Sequence, residues 1–147
     1  MNIHASYFAL SPAFNPFYLL DKWRNPYRYQ HTINLRGHAL AISWTQRAQR
    51  AMQERSLPLI VEMQLYFSCV VKKRVIFHDH VEFDLVDVSE WLRVGFRPVQ
   101  SASCDPDEFA RNYPVQRPFD SYAAAKMNPR WLLIDYKNDS FVGEFGL

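Results

Sequence analysis

The sequence predicts an α+β fold: a mostly antiparallel sheet built around one long central hairpin, about residues 59–88, with three or four short helices. Three observations carry this reading. First, no Gly or Pro interrupts Leu59 to Glu90. Its opening run alternates between an apolar face (Leu59, Val61, Met63, Leu65, Phe67, Cys69, Val71) and a mixed one (Ile60, Glu62, Gln64, Tyr66, Ser68, Val70, Lys72). Period-two alternation of this kind marks a half-buried strand, and half-burial favours antiparallel pairing. Second, Asn15-Pro16 and Asp105-Pro106 each place a capping side chain before a proline, the usual start of a short helix. Third, Lys137-Asn138-Asp139-Ser140 is a turn sequence between two aromatic-rich runs.

Element by element, Pro16 to Arg24 forms a short helix that stops before Asn25-Pro26, with Phe17, Leu20 and Trp23 sharing one face. Tyr27 to Leu35 is a strand with Tyr29, His31, Ile33 and Leu35 on one side, and Gly37 marks a turn or bulge. His38 to Ile42 is a second short strand or the approach to a helix. Ser43-Trp44-Thr45-Gln46 fits a capping box, Ser43 being the cap, for a helix ending near Arg55 and burying Trp44, Ala48, Ala51 and Met52. The central strand starts after Pro58, and its return begins at a turn on His78-Asp79-His80. This register sets Phe77 opposite Val81, Val75 opposite Phe83 and Arg74 opposite Asp84, so apolar groups meet and a cation meets an acid. Trp91 to Val99 is another strand. Helices follow from Pro106 to Tyr113 and from Asp120 to Ala125, then strands at Trp131 to Tyr136 and Phe141 to Phe145.

A chain of 147 residues is long enough to bury a core and is expected to form one domain. Residues 1–26, rich in Pro and aromatics, read as an N-terminal arm packed on that domain or on a partner subunit. Aromatic residues make up 16 % of the chain, more than one small core needs, so some rings are expected in a cleft or at an interface. The four glycines are too dispersed for a dinucleotide or P-loop phosphate cradle. Cys69 and Cys104 form no C-x-x-C pair and read as reduced thiols. With no signal-peptide pattern at the N-terminus and no apolar stretch fit to span a bilayer, the expected location is the cytoplasm, without a membrane partner. Charge is uneven: residues 1–80 hold ten Lys/Arg and four Asp/Glu, residues 81–147 seven and eleven, leaving the halves at +6 and −4. Such asymmetry fits a nucleic-acid face, or halves that pair with each other.

Three constellations carry the functional readings. His78-x-His80 puts two imidazoles on one side of a strand, as a metal site requires, with Asp84, four residues after His80, and His31, His38 and Glu82 as completing ligands. No Gly precedes His78 and Val81-Glu82 follow His80, so the metal-binding patterns of cupins and metallo-β-lactamases are not completed. The competing reading has the two histidines decorating a hairpin tip. Lys72 and Arg74, joined by Arg36, Arg47 and Arg50, form a basic face for an anionic partner, and with Tyr27, Tyr29 and Tyr66 it would suit single-stranded nucleic acid. The competing reading pairs these cations with Asp84, Asp87 and Glu90. Phe14, Phe17, Tyr18 and Trp23 crowd a segment too short to bury them and are the residues for self-association or protein binding. No nucleophile motif is present, and no organic cofactor is implied. The working expectation is a non-enzymatic binding or assembly protein, homo-oligomeric or bound to a protein partner. A metal-dependent enzyme using the His-x-His pair and a single-stranded nucleic-acid binder stand as alternatives.

Overall fold

The computed structural model describes residues 16–67, 71–101, 116–118 and 127–147. In chain order its elements are α1 (Pro16–Arg24), β1 (Tyr29–Leu35), β2 (His38–Trp44), α2 (Gln46–Gln53), β3 (Leu59–Phe67), β4 (Val71–His78), β5 (Val86–Ser89), β6 (Leu92–Ser101), β7 (Gln116–Pro118), β8 (Trp131–Lys137) and β9 (Ser140–Gly146). The strands form two sheets. One has the order β1-β2-β8-β9; the other has β4-β3-β6-β5, with β7 added to β6. Leu40, Ile42, Leu132, Ile134 and Phe145 from the first sheet meet Leu59, Val61, Met63, Leu65, Leu92 and Val94 from the second in one buried cluster. Each such aliphatic side chain contributes roughly 1.5–3 kcal/mol by leaving water. The sheet edges also meet, β9 lying against β4 and β1 against β5.

The fold is α+β and dominated by sheet, but the sheets are mixed rather than mostly antiparallel. β2 pairs with β8 and β3 with β6, both in parallel. Turn chemistry reports only on neighbouring strands, and these pairings join strands distant in the chain. Among the described residues there are two helices, not three or four; those expected at 106–113 and 120–125 lie outside the described residues.

The predicted central hairpin is also corrected. β3 does not continue to Val71. The chain reverses between Phe67 and Val71, which face each other across the ladder, so β4 returns within the stretch expected to be outgoing strand. Arg74 therefore faces Gln64 rather than Asp84, and Val81 to Leu85 lies outside any strand. A single outgoing strand from Leu59 to Phe77 would have exceeded the usual five or six residues by about a factor of three. Nor is β3 half-buried. Held between β4 and β6, it is buried from Leu59 through Tyr66 on both faces.

The short-range signals give the remaining elements. The β1–β2 turn has Arg36 at φ 55° and Gly37 at φ 81°, and the β8–β9 turn has Asn138 at φ 52° and Asp139 at φ 61°. Two central residues with positive φ match the twist of the flanking strands. α1 spans the predicted residues and ends where the Asn25 N–H and side-chain amide both donate to the Asp21 carbonyl, at 2.9 and 3.1 Å. α2 is capped by Thr45, whose Oγ1 accepts from the Ala48 N–H, and not by Ser43. The reason is tertiary: the parallel ladder to β8 holds β2 extended through Trp44. Gln46, instead of reaching back to a cap, accepts from the Tyr29 hydroxyl at 2.8 Å.

Candidate functional site

Three of the predicted association residues, Phe17, Tyr18 and Trp23, lie on α1. One side of this helix is fastened to the sheet through Arg47 of α2. The Arg47 guanidinium grips two carboxylates at once. Its Nε and one terminal nitrogen donate to Asp135 on β8, each at 2.7 Å, and its two terminal nitrogens donate to Asp21 on α1, each at 3.0 Å. Lys137 adds a contact to Asp21 at 3.3 Å. Asp135 is almost fully buried and takes two more hydrogen bonds, from the Thr45 hydroxyl at 2.6 Å and from the Tyr136 N–H at 2.7 Å. Burial alone would push the Asp135 carboxyl up, yet Arg47, Thr45 and the Tyr136 amide outweigh it and hold its pKa below the ordinary value. The Asp21 carboxyl is also lowered, chiefly by Arg47 against a smaller opposing effect of burial, with further help from Lys137. The guanidinium of Arg47 is correspondingly harder to deprotonate, Asp135 being the main cause.

α1 nevertheless exposes large apolar side chains. Phe17 is 81 % exposed and Trp23 78 %, with Leu19 and Leu20 about half exposed between them. Tyr18 belongs to the same helix, while Phe14 lies outside the described residues. Large apolar groups in contiguous exposure usually mark an interaction surface.

A second cluster occupies the outer face of the second sheet. The pairing aligns Arg74, Gln64 and Arg97 in one row across β4, β3 and β6, and Ile76, Glu62 and Gly95 in the next. The Glu62 side chain is only 2 % exposed. Its oxygens meet His78 Nε2 at 2.8 Å, Gln64 Nε2 at 2.8 Å and an Arg97 terminal nitrogen at 3.4 Å. Arg74 Nε donates to Gln64 Oε1 at 2.6 Å. The Phe83 ring closes the cluster, edge-on to His78 and 4.8 Å beneath the Arg97 guanidinium. A buried carboxylate needs this many donors, and it holds His78 and Arg97 in fixed positions in return.

The structure distributes the residues expected to bind a metal or an anion. His78 ends β4 and turns to Glu62; Asp79 and His80 follow beyond the strand, so no strand geometry aligns the two imidazoles. His80, Glu82 and Asp84 are exposed, His31 lies on β1 in the other sheet, and His38 starts β2. Among the described residues no three His, Cys, Asp or Glu side chains gather as metal ligands. Of the cations expected to form a basic face, Lys72 and Arg74 share the outer face of β4, Arg47 is committed to Asp21 and Asp135, Arg50 is exposed on α2, and Arg36 sits in the β1–β2 turn over the Phe96 ring. Arg97 is the cation that joins Arg74, a neighbour the sequence reading did not name. Alternation did place Glu62 and Gln64 on one face of an otherwise apolar strand, and that was the available signal. Asp21 and Asp135 carried none, since their common partner is 26 residues from one and 88 from the other.

Comparison with protein-family models, curated proteins and solved structures returns no match. No helix among the described residues is long and apolar enough to cross a membrane.

Proposed function

We propose that this protein is a non-enzymatic assembly protein that pairs with a second copy of itself through α1. The observation that carries this reading is the exposure of Phe17 and Trp23 on a helix that a bidentate ion pair at Asp21 ties to the rest of the fold. A fixed helix presents its rings with little ordering cost, and aromatic anchors of this kind dominate binding energy. The spacing favours a second copy as the occupant. Phe17 and Trp23 stand three residues either side of Leu20. A twofold axis at Leu20 would therefore set each Phe17 against the Trp23 of its mate, the self-complementarity a twofold interface requires.

Sedimentation or light scattering on the full chain tests the proposal. The expected result is a dimer that becomes a monomer in a Phe17→Ser/Trp23→Ser double variant, with an unchanged far-ultraviolet spectrum and unfolding midpoint. Truncating such anchors typically costs about 2 kcal/mol or more each, enough to dissociate a moderate dimer. A parent chain that stays monomeric at its highest soluble concentration would overturn the reading, as would a double variant that still dimerises.

A further inference from the structure

Between β5 and β7 the edge of β6 is open among the described residues. β5 covers β6 as far as Val94, and β7 begins opposite Val99. Among the described residues Gly95 to Pro98 have no strand partner on that side, and a proline is tolerated at such an edge. Beside this gap lies a cavity of about 460 Å³, walled by Leu35, Arg36, Phe83, Val86, Phe96 and Arg97. Its two guanidiniums are each laid on a ring: Arg36 is 5.3 Å from the centre of Phe96, and Arg97 is 4.8 Å from that of Phe83. Arg97 is further held by buried Glu62. Arginines stacked in this way keep their flat donor forks in a set orientation, suited to carboxylate or phosphate oxygens. Asp84 also lines the cavity, yet it forms no ion pair with either arginine. The walls therefore carry an excess of positive charge beside apolar surface.

We propose that this cavity binds a small organic anion, a carboxylate or phosphate carried on a planar apolar body. Ligand pockets commonly have volumes of about 300–1,000 Å³ and combine apolar walls with a few oriented polar groups. Here the rings and Leu35 and Val86 take the body, while Arg36 and Arg97 take the anion. A larger hollow of about 490 Å³, beside His38 and Arg130, has no Phe, Tyr or Trp in its wall among the described residues and is less suited to such a ligand.

The test is a titration of the full chain with phenyl phosphate, benzoate and inorganic phosphate, followed by ligand-observed NMR and calorimetry. Phenyl phosphate or benzoate should bind more tightly than inorganic phosphate. Arg36→Asn should weaken that binding about tenfold, equivalent to about 1.4 kcal/mol. Asn tolerates the positive φ of this turn, and Arg36 makes no hydrogen bond among the described residues, so the variant should fold. Arg97→Lys, which keeps the charge and loses the fork, should weaken binding as well. Absence of binding by both aromatic probes would overturn the proposal, as would affinity indifferent to Arg36→Asn or inorganic phosphate binding as tightly as phenyl phosphate. The outcome does not depend on whether the chain dimerises through α1.

Discussion

Gly95 shows how much a single position on β6 constrains its surroundings. A Cβ placed there would come within 2.8 Å of the Phe83 ring and 3.1 Å of the Asp84 carbonyl oxygen. The absent side chain is what lets the 83–85 segment lie close over the sheet, with Phe83 between His78 and Arg97. Gly95→Ala should therefore cost about 1–3 kcal/mol, the usual range for forced overpacking. Urea denaturation would measure it, and a loss of only a few tenths would mean that Phe83 moves aside freely. Asp139 offers the opposite case, because it adopts φ 61° without being glycine. Asp139→Gly should stabilise the β8–β9 turn by up to about 1 kcal/mol, read as a higher unfolding midpoint. Residue chemistry was partly legible from the sequence. Glu62 and Gln64 announced themselves as polar groups inside an apolar strand, but the His78 and Arg97 donors to Glu62 come from two different neighbouring strands.

At the scale of elements, the main device is the Arg47 clasp joining α1, α2 and β8. Its pH behaviour follows from the lowered carboxyl pKa values of Asp135 and Asp21. A carboxylate with a lower pKa in the folded state than in the unfolded chain stabilises the fold at neutral pH. That contribution is present above the unfolded value of about 3.9 and is lost as pH falls through the folded value. Stability should thus decline below about pH 4, and Asp135→Asn should flatten this acid limb. At neutral pH the same substitution should cost up to about 3 kcal/mol, as expected for hydrogen bonds to a charged group. Thermal unfolding of both proteins across the acid range checks this; identical acid limbs would count against the clasp. Most element positions were legible because caps, prolines and turn residues act over a few positions. The Thr45 cap and the early reversal after Phe67 were not, since each depends on the strand alongside.

At the scale of the whole molecule, the two proposed surfaces involve separate parts of the chain. Self-association involves Phe17, Leu20 and Trp23 on α1; anion binding involves Arg36 and Arg97 at the open edge of β6. Variants of one surface should leave the other intact, so Phe17→Ser/Trp23→Ser should bind phenyl phosphate like the parent chain. A common loss in both assays would indicate damage to the shared core rather than to either surface.

The α+β character, the helix at Pro16–Arg24, the β1–β2 and β8–β9 turn positions and the apolar identity of β3 could be read directly from the chain's residues. All of these follow from the periodicity and backbone preferences of residues close together in the chain. Long-range packing, by contrast, buries β3 on both faces, gives it β4 and a parallel β6 as partners, and commits Arg47 to Asp21 and Asp135 while Arg97 joins Arg74. Those choices depend on which distant strands bury each other's surfaces, and on the donors a buried carboxylate then requires.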